Sequence, residues 1–329
     1  MAKKAMFSQS KSPSYFLGQK WFRSKKIRCL NCQRTFTWKQ SVTHYLNCFS
    51  WFERWLNGAN VSTLSFFSRK SSKTILKTIH WFLNYLPLPK PKLNFNCHLV
   101  IDATWFGRQN CFLIYWDTDL RHAQWWRYTT SENSYEIIQD LISLKKANVV
   151  CSSITSDGGA GIRKASEIVY PNIPHPRCIT HVQRLGLAFL TRNPKTLAGQ
   201  ELRPLVKTVT QIENKQQRDE WINQFLLWCK RWDSFLKERS YLEGTRKWCY
   251  THKSLRRTNA LIFNALPNLF HYLEDNTIPK DTNGLEGRFS MLKQHYRQHR
   301  GLSKMRRAAY LAWYVSVIVN KEKPTHFFH

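Results

Sequence analysis

The sequence has few acidic residues and no long hydrophobic run. It contains 21 Asp and Glu against 51 Lys and Arg, so its formal charge is +30 over 329 residues. No apolar stretch approaches the ~18 residues that a membrane-spanning helix requires. The basic start MAKKAMFSQSKS also lacks the apolar core of a signal peptide. These absences argue against a membrane protein or an exported protein and predict a cytoplasmic one.

Cysteine occurs nine times, an odd number, in a chain without an export signal. We therefore expect thiols or metal ligands rather than disulfides. The sequence has no internal repeat.

The positive charge is distributed along the whole chain, from Lys3 to Lys323, and it accompanies 14 Trp and 13 Tyr. Such an excess favours a polyanionic partner, of which nucleic acid is the simplest. Surfaces that mix basic and aromatic side chains suit single strands or distorted DNA ends, where bases stack on rings. The composition therefore predicts a nucleic-acid-binding protein.

Residues 95–190 predict a mixed α/β domain. The β-rich runs NCHLVIDATWF, CFLIYWDTD and AQWWRYTT are typical of an antiparallel three-stranded meander. NSYEIIQDLISLKKA indicates a helix with Asn133 or Ser134 as its N-cap, and VVCSSITSDGG indicates a strand that ends at Asp157. GIRKASEIVYP then predicts a helix and HPRCITH a short strand. This order predicts an α/β fold with an RNase H-like mixed sheet.

Three carboxylates lie at informative places in that order. Asp102 interrupts the apolar run LVIDATWFG in the central strand, Asp157 ends the fourth strand, and Glu286 begins a helix in TNGLEGRFSML. A buried carboxylate is costly unless it is paired or binds a cation. Carboxylates from adjacent strands form an oxygen-rich site that suits Mg²⁺. Two such ions about 4 Å apart can activate a nucleophile and stabilise the leaving oxygen in phosphodiester chemistry.

Each carboxylate also has a structural alternative. Asp102 can be a core acid with satisfied hydrogen bonds, and Asp157, before two glycines, can be a turn residue. Asn283 with Glu286 three residues later fits a capping box.

Two further acids, Asp117 and Asp119, close the second predicted strand. They are rival metal ligands, and we interpret them as turn formers.

Several segments resemble the bacterial Mutator-like transposases, a family with a DDE catalytic triad. They are IDATWF, TSDGGAGI, RCITH, TNGLEGRF and the basic HRGLSKMRRAAYLAWY, and the resemblance runs from about residue 20 to 320. It implies that Asp102, Asp157 and Glu286 form the catalytic triad and hold two Mg²⁺ or Mn²⁺ ions.

The resemblance also assigns supporting residues and domains. Cys178 and His181 match the family's Cys-x-x-His signature, and Asn283 matches the Asn that precedes the catalytic Glu. An all-helical insertion would interrupt the RNase H fold before its last helix. The implied organisation is a zinc-knuckle-like region at 1–49, a helix-turn-helix region with linker at 50–90, the first part of the catalytic core at 91–190, the helical insertion at 191–280, and the last core helices at 281–329.

The N-terminal segment IRCLNCQRTFTW contains Cys29-x₂-Cys32, the form of a zinc-ribbon knuckle. Related transposases have a second Cys-x₂-Cys upstream, but residues 1–28 contain no cysteine. His44 and Cys48 would complete a site, because Cys-x₂-Cys-x₁₁-His-x₃-Cys is close to the ligand spacing of a small finger. The alternative is a relic knuckle without metal.

Cys178-Ile-Thr-His181 recurs in form as Cys249-Tyr-Thr-His252. Together these residues would make a second zinc site. The favoured alternative buries Cys178 and places His181 or His252 near the active centre, as a polar or phosphate contact.

Residues 50–85 predict a helix-turn-helix whose reading helix is Ser72–Phe82, with an ordinary helical hairpin as the alternative. The Pro-rich linker LPLPKPKL would be stiff and would let residues 1–90 move as a separate body. The predicted DNA contacts are basic residues of this region and of the helix that carries Glu286: Lys70, Lys73, Lys77, Arg288, Lys293 and Arg297. Trp232 and Trp248 are predicted to stack on an unpaired base, with core packing as the alternative for at least one of them.

These patterns predict a DNA transposase that binds terminal inverted repeats, frees 3′-hydroxyl ends and joins them to target DNA. Its partners would be transposon ends, target DNA and further copies of itself, as a homodimer or higher oligomer on the bacterial nucleoid. Two alternatives stay open. One is a transposase-derived DNA-binding protein without catalysis, and the other is a different RNase H-like nuclease such as a resolvase.

Overall fold

The computed structural model of the chain describes residues 25–28, 35–38, 46–241 and 243–323. The strands are β1 (Lys25–Arg28), β2 (Thr35–Trp38), β3 (Asn94–Trp105), β4 (Cys111–Asp117), β5 (His122–Thr129), β6 (Val149–Ser156), β7 (Arg239–Tyr241) and β8 (Trp248–Tyr250). The helices are α1 (Phe49–Leu56), α2 (Val61–Ser68), α3 (Ser72–Leu83), α4 (Ser134–Lys146), α5 (Ala160–Val169), α6 (Ile179–Leu190), α7 (Leu197–Thr208), α8 (Lys215–Arg231), α9 (Asp233–Lys237), α10 (Lys253–Ala265), α11 (Asn283–Arg297) and α12 (Lys304–Trp313), which continues as a π-helical segment, Tyr314–Val319. Among these described helices, none combines the length and the apolar character that crossing a membrane requires.

A mixed four-stranded sheet organises the structure. Its order is β5-β4-β3-β6, in which β3, β4 and β5 pair antiparallel and β6 lies parallel to β3. This confirms the predicted meander and the fourth strand beside the first. The register places Asp102 opposite Ile114 of β4 and Ile101 beside Ser156 of β6.

The two faces of the sheet are covered by different helices. Side chains alternate along a strand, so Leu99 and Ile101 point to the face covered by α4 and α5. Val100 and Asp102 point to the opposite face, on which α1, α3, α11 and α12 pack. Asp102 therefore projects to the side of the sheet that carries α11 and Glu286.

The short strand predicted at HPRCITH is not formed. Residues 174–178 exchange backbone hydrogen bonds with β6, but only Arg177 makes a β-bridge. Pro174 and Pro176 have no N–H and cannot donate to a strand ladder. Helix α6 follows at once, so the fold prediction is correct for the mixed α/β class and wrong for this strand.

Helices α6 to α10 surround a second core that buries Leu202, Phe225 and Trp228, among others. The prediction that this part of the chain is all-helical is wrong, because β7 and β8 form an antiparallel hairpin within it. The aromatic segments RSY and WCY favour strands. Gly244 between them adopts a φ of +72°, which suits a tight turn.

The N-terminal helices share one core with the C-terminal helix α12. Phe52 and Phe82 stack with their ring centroids 4.5 Å apart, and Trp313 packs edge-on against both. The linker is also fixed in place, because the Lys92 N–H donates to Gln124 Oε1 at 2.7 Å. The expectation that this region moves as a separate body is therefore wrong for residues 46–93.

The predicted helix-turn-helix region contains three helices, α1 to α3, rather than two. The reading helix predicted at Ser72–Phe82 corresponds to α3, and the side chain of Ser71 caps it by accepting from the Thr74 N–H at 3.2 Å.

Three of the four predicted zinc ligands, Cys29, Cys32 and His44, lie outside the described residues. Cys48 lies just before α1 and is buried, and burial raises the pKa of its thiol. Strands β1 and β2 pair on either side of residues 29–34. The zinc site stays a prediction.

Candidate active site

The three predicted acids lie near one another, on β3, just after β6 and at the start of α11. Asp102 lies on β3 with 6% of its surface exposed, and Asp157 directly follows the parallel strand β6. Ile101 pairs with Ser156, so the next residue of each strand reaches the same edge. Glu286 lies in the first turn of α11. The structure therefore brings together residues that are far apart in sequence.

The pKa of Asp102 reflects the proximity of Asp157 and Glu286. Burial raises its pKa to about 7, against 3.8 for an ordinary Asp, and the charges of Asp157 and Glu286 add to the rise. The Ala103 N–H, which donates to Asp102 Oδ1 at 2.8 Å, and the nearby His181 lower the pKa but do not compensate. The groups around Asp102 therefore supply too little positive charge to offset the cost of burying its ionised carboxylate.

One carboxylate oxygen of Glu286 accepts a hydrogen bond, and the other accepts none from the residues that the structure describes. Arg184 Nη1 donates to Oε2 at 2.5 Å. Oε1 lies 3.7 Å from His181 Nε2, is buried, and has no hydrogen-bond partner among the residues that the structure describes. A buried carboxylate oxygen without a donor is unfavourable unless a ligand satisfies it.

The Cys178 and His181 pair connects the start of α6 to the start of α11. The Thr282 N–H donates to Cys178 Sγ at 3.3 Å, and Thr282 Oγ1 lies 3.4 Å from His181 Nδ1. Cys178 is fully buried, and burial raises the pKa of its thiol. The pair therefore fixes the helix end that presents Glu286, and His181 lies 3.7 Å from Glu286, while its role as a polar or phosphate contact stays a prediction.

Asn283 does not form the capping box considered above. Thr282 is the residue before the helix, and Asn283 is its first helical residue. The Asn283 side chain instead accepts from Arg184 Nη2 at 3.4 Å and donates to Thr180 Oγ1 at 3.3 Å. Asn283 and Glu286 are thus held by the same arginine.

Glu132, between β5 and α4, is an acid that the sequence analysis missed. A β-carbon placed on Gly159 would lie 3.0 Å from Glu132 Oε2 and 3.2 Å from Asp157 Oδ1, so both carboxylates flank this glycine. Burial and the charge of Asp157 raise the pKa of Glu132, and a hydrogen bond from Trp105 lowers it. A β-carbon on Gly161 would meet the Glu132 carbonyl oxygen at 2.2 Å. The glycines after Asp157 signal a close approach, but not which segment approaches.

The rival ligands act as turn formers, as interpreted. Asp117 Oδ1 accepts from the N–H groups of Asp119 and Leu120, each at 3.0 Å. Asp117 Oδ2 accepts from Asn94 and Gln124, each at 2.8 Å. These hydrogen bonds occupy one oxygen of Asp117 with its own turn and the other with side chains of β3 and β5.

Four of the predicted DNA contacts are exposed. Lys73 and Lys77 lie on the outer face of α3, Lys70 lies in the turn before it, and Arg297 ends α11. They are available to an external phosphate.

The other two predicted DNA contacts, Arg288 and Lys293, lie against aromatic rings. The Arg288 guanidinium is 3.8 Å from the Trp116 ring centroid, and Lys293 Nζ is 5.9 Å from that of Phe106. Burial lowers the pKa of Arg288. Arg288 therefore contributes to packing between α11 and the sheet, which its sequence position did not reveal.

The two tryptophans of the insertion have different environments. Trp232 packs against the second core and donates its Nε1–H to Glu201 at 2.8 Å. Trp248 lies on β8 with 42% of its surface exposed, and the Arg239 guanidinium is 4.0 Å from its ring centroid. Core packing for one of the two is confirmed.

Within residues 46–241 and 243–323, no three His, Cys, Asp or Glu side chains are spaced to hold a metal ion as they stand. The second zinc site is accordingly not formed: His252 Nε2 lies 2.9 Å from Glu238 Oε2, away from the Cys178–Thr282 contact.

Comparison with models of protein families and with curated protein sequences finds no match for this chain. Its function is therefore inferred from the geometry described above. Carboxylate oxygens such as those of Asp102, Asp157 and Glu286 are the ligands that divalent cations take in proteins. The surrounding Arg and Lys side chains can hold phosphate groups by charge-assisted hydrogen bonds.

Proposed function

We propose that this chain is a DNA transposase of the DDE type, with an RNase H-like catalytic core, that cleaves DNA and transfers the cut strand. The strand order supports this fold: three antiparallel strands, then a crossover through α4 to a strand parallel to the first. Helix α11 returns to the sheet after α7 to α10, which fall within the insertion at 191–280 implied by the resemblance to Mutator-like transposases.

The observation that carries the proposal is the position of Asp102. It is buried on the central strand beside two other acids, and its pKa is raised to about 7. A buried ionised carboxylate without compensating positive charge lowers the stability of the fold. Clusters of acids with such perturbed pKa values are typical of functional sites. The resemblance selects the same three acids on different grounds, since it rests on segment order alone.

The chemistry of the donor set suits a divalent cation, although the three side chains are not spaced to hold one as they stand. Asp102, Asp157 and Glu286 supply carboxylate oxygens, the ligands that Mg²⁺ and Mn²⁺ prefer. Glu286 Oε1 is buried and lacks a donor within the described residues, so a cation would satisfy it. Two bound ions would activate the attacking oxygen and stabilise the leaving oxygen of a phosphodiester.

The protein's own residues orient this site. The Ala103 N–H fixes one oxygen of Asp102. Arg184 holds Glu286 and Asn283 together and leaves Glu286 Oε1 available. His181, 3.7 Å from Glu286, is placed to contact a phosphate oxygen or to hold a proton at Nε2.

DNA binding would use the basic surface. The exposed Lys70, Lys73 and Lys77 would contact phosphates of the transposon end, with α3 in the major groove. The zinc knuckle at Cys29 and Cys32, with its alternative of a metal-free relic, belongs to the same N-terminal region. Transposition requires two DNA ends to be joined in one complex, so we propose a homodimer or higher oligomer on DNA.

The test uses full-length protein and duplex DNA taken from the flanks of the reading frame, with Mg²⁺ or Mn²⁺. Asp102→Asn, Asp157→Asn and Glu286→Gln should each lower cleavage and strand joining by roughly a hundredfold or more, because loss of a ligand exceeds the 10–100-fold cost typical of outer-shell losses. DNA affinity should stay within about twofold, because the phosphate contacts are retained. Asp219→Asn is the control, since its side chain is 66% exposed and lies on α8. Cleavage at the wild-type rate in any of the three variants would remove that residue from the site.

A second candidate is a DNA-binding protein derived from a transposase, without catalysis. The ion pair between Arg184 and Glu286 favours it, because the arginine already neutralises a carboxylate that a cation would need. Binding to the flanking DNA with no metal-dependent cleavage by the wild-type protein would select this candidate.

A further inference from the structure

A small polar cavity lies beside the turn that follows β6. Its volume is about 40 Å³, and its polar lining includes Arg163, Ser166, His175, Arg177, Asn264 and Asn268. A single water needs about 10–15 Å³ by this measure. The cavity therefore has room for a few waters or for one tetrahedral oxyanion.

Two donors that line the cavity are unsatisfied. Ser166 Oγ, on a side chain with 2% of its surface exposed, and Arg177 Nε are buried and find no hydrogen-bond partner in the described part of the chain. Buried donors are almost always paired in native proteins, by protein, water or ligand. Their shared position at one cavity indicates that a single acceptor satisfies both.

The charge around the cavity selects a negative acceptor. Arg163 and Arg177 both line it, and no Asp or Glu does so among the described residues. Arg163 has one acidic neighbour, Glu167 at 3.7 Å, and that pair is more than half exposed. His175 Nε2 lies 2.9 Å from the Tyr170 carbonyl oxygen and donates to it, and burial lowers the pKa of His175. Burial also lowers the pKa of Arg177, and so does the nearby charge of Arg163, while Asp157 and Cys178 raise it.

We propose that this cavity binds one phosphate group, held by Arg163, Ser166 and Arg177. Tetrahedral oxyanions accept several charge-assisted hydrogen bonds at once, and the guanidinium fork matches their geometry. The phosphate can be free or can be the terminal 5′-phosphate of a DNA strand. Only the DNA source rests on the proposed function.

The cavity adjoins the proposed catalytic edge through Gly158. A β-carbon placed on this glycine would lie 2.5 Å from Arg177 Nε, so the arginine side chain lies directly on the turn that carries Asp157. Gly158 has a φ of +85°, which favours glycine there. A phosphate held by Arg177 would sit one residue from Asp157, where a nucleic-acid strand at the sheet edge can reach it.

The first experiment measures binding of inorganic phosphate to the full-length protein by calorimetry, at constant ionic strength with chloride as the balancing anion. Arg163→Gln should weaken binding roughly tenfold or more, because it removes a charged donor, and Ser166→Ala should weaken it severalfold. Lys164→Gln is the matched control. It removes the same charge from the next residue of α5, and Lys164 is exposed and does not line the cavity.

Melting temperatures without phosphate verify that each variant is folded. Equal losses in Arg163→Gln and Lys164→Gln, or no measurable phosphate binding by the wild type, would overturn the proposal.

The second experiment identifies the source of the phosphate. Single-stranded oligonucleotides of one sequence, with a 5′-phosphate or a 5′-hydroxyl, compete for the wild type and for Arg163→Gln. A severalfold preference for the phosphorylated strand that is lost in the variant assigns the cavity to a DNA end. Equal affinities, together with specific binding of inorganic phosphate, assign it to free phosphate. Both readouts are independent of cleavage, so they stand even if the transposase proposal fails.

Discussion

Replacing Asp102 by Asn should make the metal-free protein more stable while removing its proposed activity. The amide matches the shape of the carboxylate and can still accept the Ala103 N–H bond, which is 2.8 Å long. The substitution removes only the negative charge that burial and the acids Asp157 and Glu286 disfavour.

The size of the effect follows from the pKa. The value of about 7 in the folded protein is raised above the 3.8 of an ordinary Asp, so the folded state holds the proton more tightly than the unfolded state. Ionisation therefore destabilises the fold progressively between about pH 4 and pH 7, and the full penalty applies above pH 7. About three pKa units correspond to an upper limit of ~4 kcal/mol. The Asn variant should gain a part of this, on the order of 1–3 kcal/mol at pH 8.

The assay is thermal unfolding in chelator at several pH values. A gain of that size should raise the melting temperature of Asp102→Asn by several degrees at pH 8, at roughly 2 °C per kcal/mol, and the difference should shrink toward zero near pH 4. Asp219→Asn, whose side chain is 66% exposed, should show no such pH dependence. Mg²⁺ or Mn²⁺ should stabilise the wild type and not Asp102→Asn, because a ligand stabilises only the state that binds it.

A variant that melts at or below the wild-type temperature at pH 8 without metal would refute this reasoning. It would mean that His181 and the Ala103 N–H stabilise the ionised form of Asp102 by more than burial destabilises it.

Three further outcomes test the structure. Asp140→Asn should lower the free energy of unfolding by about 3–5 kcal/mol in urea denaturation, because Asp140 is fully buried and accepts from Arg127 Nε at 2.7 Å; a loss below about 1 kcal/mol would show that the network is dispensable. A chain that begins at residue 91 should give no cooperative melting transition, because it lacks Phe52 and Phe82 of the shared core; a sharp transition would restore the idea of a separable N-terminal module. DNA affinity should fall with salt at a logarithmic slope of roughly −0.9 per neutralised phosphate, and a flat titration would argue against the nucleic-acid partner that the charge of +30 predicts.

The sheet could be predicted from the sequence because its signals are local. Alternating and apolar runs predicted the meander, and Asn133 was one of two predicted caps for α4, where it accepts from the Tyr135 N–H at 2.9 Å. The adjacency of Asp102 and Asp157 followed from placing the fourth strand parallel to the first.

The remainder of the site could not be predicted, because it depends on contacts between segments that are distant in sequence. Arg184 reaches Glu286 across 102 residues, and nothing in LGLAFL or TNGLEG indicates that their helices meet. Glu132 reaches Asp157 only because Gly159 admits its carboxylate and Gly161 admits its backbone carbonyl. The order of the predicted elements and the resemblance both indicated the triad, but these partners come from packing alone.

Each prediction that proved wrong has a local cause in the sequence, which was outweighed by another signal in the same segment. Pro176 within the predicted fifth strand, and Pro174 just before it, have no N–H to donate to a ladder. The hairpin β7–β8 is too short for its alternation to stand out from the surrounding helical pattern. The Pro-rich linker was interpreted from composition, whereas the aromatic side chains before it, such as Phe82, are buried against α12.

The shared aromatic core also sets the order in which the protein can be completed during synthesis. Phe82 and Trp313, which are hydrogen-bonded in the finished fold, are separated by 231 residues. At a translation rate of roughly 5–20 residues per second, Phe52 and Phe82 wait for more than about ten seconds before their partner emerges. Contacts of such long range slow folding and leave apolar rings available to chaperones or to aggregation in the meantime. The sheet edge can therefore gather Asp102 and Glu286 only after almost the whole chain has left the ribosome, so a nascent chain carries its acids without bringing them together.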